Sequence, residues 1–427
     1  MKKLFVTLVL AALAGPTFAQ MTLEQIEGLI TSDPKAAQKE ALKFFKKNKK
    51  NTDAVLDLAT LFVQAKDYVS AEDFAQKALA VNPKSAKVHI FLGDLRYLQD
   101  DGGAAAGEYE QAVNADPTDT LGYVKYAGVY KDKFADQAKQ MLERMGQNCP
   151  GVNVKRLIAD MYYRGNHLKE AANAYNECDM NTLNVYDLAN YVFSLTFGAS
   201  DFSKSYEVCS QAAAKYPDNS TFKRFSIYNL ADLNRFEEAA PIADAFFADE
   251  SIDKQFLDYI YYGHILKAMK KNEEALVAFQ KGYELNDTRI DAFSSMAEIY
   301  NEMGEYSKAV ENYKQFYDKT NDKTYSMMNT LGNYYYDLAD SYNKAGNADE
   351  ATATAQEADK YYASAIERMP NYFMNYVYRG RNAMLIDKSV ALEYFNKSLE
   401  VANGTAPENV VNLINLYIST CTTDNNN

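Results

Sequence analysis

The residues best suited to catalysis or metal binding are scattered along this 427-residue chain and form no recognisable local motif. The histidines are His89, His167 and His264, too far apart in sequence for any two to share one turn of a helix. Zinc motifs such as H-E-x-x-H, nucleophile motifs such as G-x-S-x-G and glycine-rich phosphate loops are absent from the sequence. We therefore expect no metal, no cofactor and no catalysis, with an enzyme built from distant residues as an alternative.

Paired carboxylates are the remaining candidates for acid–base chemistry, as in Glu237-Glu238 and Glu273-Glu274. Each pair stands at the start of a predicted helix, just before an alanine that recurs from repeat to repeat. Negative charge is favourable in the first turn of a helix. We interpret these pairs as solvated residues of the first turn and not as a general acid and base.

Four cysteines could pair, because the chain is predicted below to be exported: Cys149, Cys178, Cys209 and Cys421. Cys178 and Cys209 fall at positions where predicted helices pack, and a buried thiol there serves as a small apolar group. The sequence leaves open whether any of the four form disulfides.

The first 19 residues predict a signal peptide. Lys2 and Lys3 precede an apolar run from Leu4 to Ala14, and a small-residue cleavage site ends at Ala19. The run is shorter than the ~20 residues that a membrane-spanning helix needs, which disfavours an anchor. We expect an exported, soluble protein, periplasmic or secreted, with no membrane insertion after the signal peptide is cleaved.

Composition and charge narrow the class of partner. Hydrophobic residues make up 47% of the chain and charged residues 24%, which is typical of a folded protein. The formal net charge of −13 would repel nucleic acid phosphates and anionic lipid. We therefore expect no nucleic-acid partner.

The elements that must position any functional residue are short helices arranged in repeating hairpins. Residues 290–319 show the pattern most clearly, with two amphipathic helices joined by a turn at Gly304. Small residues stand where two helices would touch, and aromatic residues stand where they would fill the space between them. Pairs of like residues recur 34 positions apart: Ala71 and Ala105, Ala78 and Ala112, Pro83 and Pro117.

This pattern resembles the tetratricopeptide repeat, a helix-turn-helix unit of ~34 residues. The resemblance implies an all-α fold, a right-handed superhelix (α-solenoid) of about nine to ten repeats with a terminal capping helix. A coiled coil is disfavoured because Gly or Pro interrupts every heptad pattern. The predicted organisation is a signal peptide (1–19), an N-terminal helical hairpin (20–50), the repeat array (51–324), an elongated hairpin (325–370), a last repeat with the capping helix (371–420) and a disordered tail (421–427).

Residues 325–370 depart from the period, and the sequence allows two interpretations of them. The second helix runs too long, with no helix breaker between Asp349 and Arg368. An elongated hairpin is the first interpretation, and an extra helix with a kink near Glu357 is the second.

The resemblance also implies that a protein or an extended peptide segment binds along the concave side, which is lined by the first helix of each hairpin. Tyr and Arg are enriched at binding hot spots, and two Arg in an acidic protein suggest a partner with carboxylates. A scaffold of the cell envelope is the first functional hypothesis, and a carbohydrate-binding or uptake-accessory protein at the cell surface is the second. The predicted contact residues are Tyr97, Lys131, Arg156, Tyr163, Tyr186, Asn190, Phe193, Arg224, Tyr228, His264 and Asp340. The oligomeric state stays open.

Overall fold

The computed structural model describes residues 18–423, with side chains described from residue 23 onward. Most of the predicted signal peptide and the end of the predicted tail lie outside the described residues. Within them every regular element is a helix, so the predicted all-helical class is confirmed. The chain divides into two compact units, residues 1–208 and 209–427, and the boundary falls within one helix.

Within residues 18–208, the first unit contains eleven complete α-helices and the beginning of a twelfth. Their bounds are α1 (Phe18–Ser32), α2 (Pro34–Asn48), α3 (Thr52–Gln64), α4 (Tyr68–Val81), α5 (Ala86–Leu98), α6 (Gly102–Ala115), α7 (Thr120–Tyr130), α8 (Ala135–Asn148), α9 (Val154–Arg164), α10 (Leu168–Asn176), α11 (Val185–Ser194) and α12 (Phe202–Lys215). A 3-10 turn (Met180–Thr182) precedes α11, and a π-helical turn (Leu195–Ala199) follows it.

The described part of the second unit, residues 209–423, contains the end of α12 and eleven further helices. They are α13 (Ser220–Asp232), α14 (Phe236–Ala248), α15 (Phe256–Ala268), α16 (Asn272–Leu285), α17 (Asp291–Glu302), α18 (Tyr306–Lys319), α19 (Tyr325–Lys344), α20 (Ala348–Arg368), α21 (Phe373–Ala383), α22 (Lys388–Ala402) and α23 (Glu408–Thr423). Successive helices from α3 to α22 pair as hairpins, and we call the first of each pair the A helix and the second the B helix.

Seven of the ten turns between an A helix and its B helix in the described residues use the same backbone device. After α3, the Asp67 N–H donates to the Phe62 carbonyl at 2.9 Å, and the Lys66 N–H donates to Val63. In this Schellman pattern the first of the two donor residues adopts a positive φ, and Lys66 has φ of 63°. Equivalent positive-φ residues end the other A helices that turn in this way: Asp100, Asn166, Asn234, Lys270, Gly304 and Gly346.

The two helices of a hairpin approach closely where a glycine of the A helix faces an aromatic ring of the B helix. A Cβ at Gly93 would lie 2.4 Å from Tyr109, and one at Gly332 would lie 2.7 Å from Tyr362. The first pair is 16 residues apart and the second is 30, so the hairpin α19–α20 carries 14 additional residues. These are about seven in each helix, or two turns.

The structure resolves several features that the sequence left open. Helix α20 is continuous over 21 residues, with no kink near Glu357, and forms one long hairpin with α19. Helix α23 ends at Thr423, three residues into the predicted tail of 421–427, and Cys421 is buried. Cys149 and Cys178 are free thiols, as is Cys421.

Candidate binding faces

Ten of the predicted contact residues lie in six A helices, and Lys131 directly follows a seventh. In the first unit Tyr97 lies in α5, Lys131 follows α7, Arg156 and Tyr163 lie in α9, and Tyr186, Asn190 and Phe193 lie in α11. In the second unit Arg224 and Tyr228 lie in α13, His264 in α15 and Asp340 in α19.

One set of aromatic side chains in the first unit lies together, and we call it the aromatic face: Tyr163, Tyr186, Phe193 and Phe197. The rings of Tyr163 and Phe193 meet edge to face at 5.9 Å between centroids, and those of Phe193 and Phe197 at 4.9 Å. Tyr186 precedes Phe193 by seven residues, two helical turns, and therefore shares its side of α11. The Tyr186 side chain is 78% exposed and Phe197 41%.

A local irregularity places Phe197 on this face. The residues after α11 form a π-helical turn, which Ser200 ends with φ of 53°. Gly198 is required there, because a Cβ would lie 2.4 Å from the Leu168 side chain and 2.5 Å from its backbone. Single π-helical turns are frequent at functional sites. Phe197 was not among the predicted contact residues, although the extra residues around it interrupt the repeat period.

Tyr97 and Lys131 occupy the corresponding ends of neighbouring A helices. Tyr97 is 55% exposed near the end of α5. The Lys131 ammonium donates to the Gly128 carbonyl and to Asp132, each at 3.3 Å. Three aromatic residues flank Lys131 in the sequence. The ring centroids of Tyr126 and Tyr130 are 4.8 Å apart, and those of Tyr130 and Phe134 are 5.1 Å apart.

Arg156 has a partner within the protein. Its Nη1 donates at 3.0 Å to Asp187, a buried residue of the next A helix. The same carboxylate accepts from the Asn184 backbone N–H and so caps α11. Arg156 therefore joins two successive repeats, and its charge is neutralised within the fold.

Arg224 repeats this arrangement more fully in the second unit. Its Nε and Nη2 donate to the two oxygens of Asp258 at 2.8 and 3.0 Å, and Asp258 is 2% exposed. The Tyr228 hydroxyl donates to the same carboxylate at 2.5 Å, and the Gln255 N–H donates at 2.8 Å. Burial, with the adjacent negative charge, raises the pKa of Tyr228, which keeps its proton.

These contacts differ from the expectation that Arg156, Arg224 and Tyr228 face a partner. Tyr228 is 2% exposed, and both guanidiniums already pair with buried carboxylates. All three residues lie on A helices, as the repeat pattern predicts. Because the acceptors lie 31 and 34 residues away in the next repeat, the pairing is not visible in any local motif.

A groove opens in the second unit between the ends of α13 and α15, with a volume of about 420 Å³. We call it the Asp232 groove. Its lining residues are Ala231, Asp232, Asn234, Phe236, Tyr261, His264, Lys267, Ala268 and Lys270. The Tyr261 ring stacks on Tyr228 at 4.3 Å between centroids, and its hydroxyl donates to Asp232 at 2.9 Å.

The ionisable groups in this groove have shifted pKa values. Partial burial raises the pKa of Asp232 above its usual value, and the hydrogen bond from Tyr261 opposes that shift. His264 exposes part of its imidazole, but the ring also packs edge to face on Phe279 at 4.9 Å. This loss of hydration, with nearby Lys267, lowers the pKa of His264, so the imidazole is neutral at pH 7.

Asp340 lies beyond the part of α19 that corresponds to a standard A helix. Gly332 faces Tyr362 as Gly93 faces Tyr109, so Asp340 falls in the added turns of the long hairpin. Its carboxylate pairs with Lys344 at 2.7 Å.

Among residues 18–423, no group of three or more His, Cys, Asp or Glu side chains is arranged to hold a metal ion. Over the same part of the chain, none of the helices combines the length and apolar character that crossing a membrane requires.

A family model for the tetratricopeptide repeat matches residues 56–120, which cover most of α3 and all of α4, α5 and α6. The match supports the predicted family and identifies residues 56–120 as tetratricopeptide repeats. Its fold is that of a protein-interaction scaffold. Comparison with curated proteins gives no match.

Several solved structures are similar to this chain. The C-terminal part of a tetratricopeptide-repeat protein from Cytophaga hutchinsonii is 20% identical with a TM-score of 0.46, over 56% of this chain and 88% of that one. A tetratricopeptide-repeat protein from Parabacteroides merdae is 14% identical with a TM-score of 0.36, over 58% and 99%. Yeast Tom70 is 11% identical with a TM-score of 0.36, over 96% of each chain. At these scores no inference about function follows from the likeness.

Proposed function

We propose that this chain is a non-catalytic scaffold of the cell envelope that binds a protein or an extended peptide segment through the faces of its A helices. The observation that carries the proposal is the aromatic face of the first unit. Tyr186 is 78% exposed two helical turns before Phe193 on the same side of α11, and Phe197 next to Phe193 is 41% exposed, so the fold leaves apolar area uncovered along this side. Large rings of this kind contribute much of the binding energy at protein interfaces.

The pairing of the arginines refines the nature of the partner. Arg156 and Arg224 are held by Asp187 and Asp258, so they do not support a partner rich in carboxylates. The chain carries 58 acidic against 45 basic residues, which favours association with a neutral or basic segment. The location in the cell envelope rests on the signal peptide that the first 19 residues predict.

An affinity capture from envelope extract tests the proposal with two matched double variants. Tyr186→Ala with Phe197→Ala removes exposed rings from the aromatic face. Val69→Ala with Val277→Ala removes apolar side chains of similar exposure, 82% and 70%, from B helices. We expect a captured protein to be lost with the first variant and retained with the second, and equal capture by both would contradict the proposal.

A carbohydrate-binding role is the second candidate, because exposed rings can stack on sugars as well as on peptides. Retention of the wild type on polysaccharide resin, lost with the Tyr186 and Phe197 variant, would favour it over the scaffold.

A further inference from the structure

We propose that the Asp232 groove binds a cationic side chain, that of arginine or lysine, from the segment held by the A helices. The inference rests on the proposed function, because it assigns a chemistry to one position along the bound segment. It is drawn from the second unit alone and depends on the shape, rings and charges of this groove.

The shape and walls of the groove suit a long side chain. Its volume of about 420 Å³ exceeds the ~30 Å³ share of one water by an order of magnitude. The rings of Tyr261 and Phe236 form part of its lining. A cation within about 6 Å of an aromatic ring centre is attracted by the ring, and the methylene stem of Arg or Lys packs well on such surfaces.

Among the charged side chains in and around the groove, one carboxylate has no cationic partner. Lys267 contacts Glu298, Lys270 pairs with Glu302 at 3.0 Å, and the nearby Arg289 pairs with Asp291 at 2.6 Å. These pairs cancel, and the imidazole of His264 is neutral.

Asp232 differs from these residues. Its Oδ2 accepts the Tyr261 hydroxyl, and no Lys or Arg of the described residues lies within 4.0 Å of the carboxylate. Lys267 and Lys270 also line the groove, but with their partners Glu298 and Glu302 included the local charges sum to about −1, and Asp232 is the charge left unpaired beside the aromatic wall.

An incoming arginine or lysine would complete this arrangement. Its charged end would pair with Asp232 by a charge-assisted hydrogen bond while its stem lies along Tyr261. The excess of acidic residues over the whole chain would steer a basic segment toward the protein. A carboxylate or phosphate in the same groove would be repelled by Asp232, and the ammonium groups of Lys267 and Lys270 that could attract it are already paired with Glu298 and Glu302.

A titration followed by NMR tests the inference on the full chain and without knowledge of the partner. The probe is N-acetyl-arginine methylamide, and its neutral counterpart is N-acetyl-citrulline methylamide, which has nearly the same shape. Methyl labels on alanine report from Ala231 and Ala268, which line the groove. We expect saturable shifts of these two methyl signals with the arginine probe and about tenfold weaker binding of the citrulline probe.

Two variants complete the test. Asp232→Asn should weaken binding of the arginine probe about tenfold, and because Asp232 is exposed at the end of α13 the variant should keep the wild-type circular dichroism spectrum. Asp287→Asn makes the same change of charge at an exposed residue outside the groove and should leave binding unchanged.

Equal binding of the two probes, or undiminished binding to Asp232→Asn, would overturn the inference. Failure of the envelope capture, by contrast, would overturn the proposed function without affecting the titration.

Discussion

The clearest consequence of the Arg224 contacts is a large loss of stability when Asp258 is replaced by alanine. The Asp258 carboxylate accepts four hydrogen bonds: two from Arg224, one from Tyr228 and one from the Gln255 N–H. Its removal leaves the Arg224 guanidinium, with 14% of the side chain exposed, bonded only to the Asp253 carbonyl. Breaking a buried ion pair by removing one partner costs about 3–5 kcal/mol, and we expect a loss of that size.

The same change in the first unit supplies a matched control. Asp187 accepts a single bond from Arg156, whose side chain is 32% exposed, so water can replace the lost partner. We expect Asp187→Ala to cost about 1–2 kcal/mol, from one hydrogen bond and a helix cap.

Unfolding in urea, followed by circular dichroism, compares the two variants, and hydrogen exchange locates the effect, since repeat proteins need not unfold in one step. Asp258→Ala should lose protection in α13 and α15. A loss below about 1 kcal/mol for Asp258→Ala would refute the argument and return Arg224 to the set of candidate contact residues.

Three further predictions follow from the turns, the close contacts and the groove. Lys66→Gly should stabilise the protein by about 0.5–1 kcal/mol in urea unfolding. Glycine removes the ~1–2 kcal/mol cost of positive φ, but the greater conformational entropy of glycine in the unfolded chain offsets part of this gain. A loss of stability would contradict this. Gly93→Ala should destabilise by about 1–2 kcal/mol through overlap with Tyr109, whereas Gly107→Ala, with nothing within 4 Å of its Cβ, should stabilise slightly. Binding of the arginine probe should weaken as the pH falls through the raised pKa of Asp232, because protonation removes the charge, and Asp232→Asn should lose this dependence.

The repeating hairpins could be predicted because each residue type in them has a local packing reason. Gly93 and Gly263 let an aromatic ring of the B helix approach the A helix closely. The short turn after α3 requires the positive φ of Lys66. These constraints recur every 34 residues or so, and the period is visible without knowledge of the fold. The added turns of α19 and α20 lengthen that hairpin by 14 residues, and Asp340 lies in these turns and not in the part of α19 that corresponds to a standard A helix.

The candidate site could be predicted only in part, because exposure depends on neighbours in other repeats. Tyr186 and Tyr228 both read as aromatic residues on the free side of an A helix, yet one is 78% exposed and the other 2%. Tyr228 is covered because Tyr261 stacks on its ring and Asp258, 30 residues further on, accepts its hydroxyl. Phe197 and Asp232 were missed because a π-helical turn and an inter-repeat groove leave no periodic signal.

The central claim is that the aromatic face of the A helices contacts a protein partner, and site-specific photocrosslinking tests it most directly. A photoreactive phenylalanine analogue is placed at Tyr186, 78% exposed on an A helix, or at Val69, 82% exposed on a B helix. The two proteins are illuminated in envelope extract and the products are separated by mass. A discrete crosslinked protein from position 186 and none from position 69 is the expected result. The same products from both positions, or from position 69 alone, would contradict the claim.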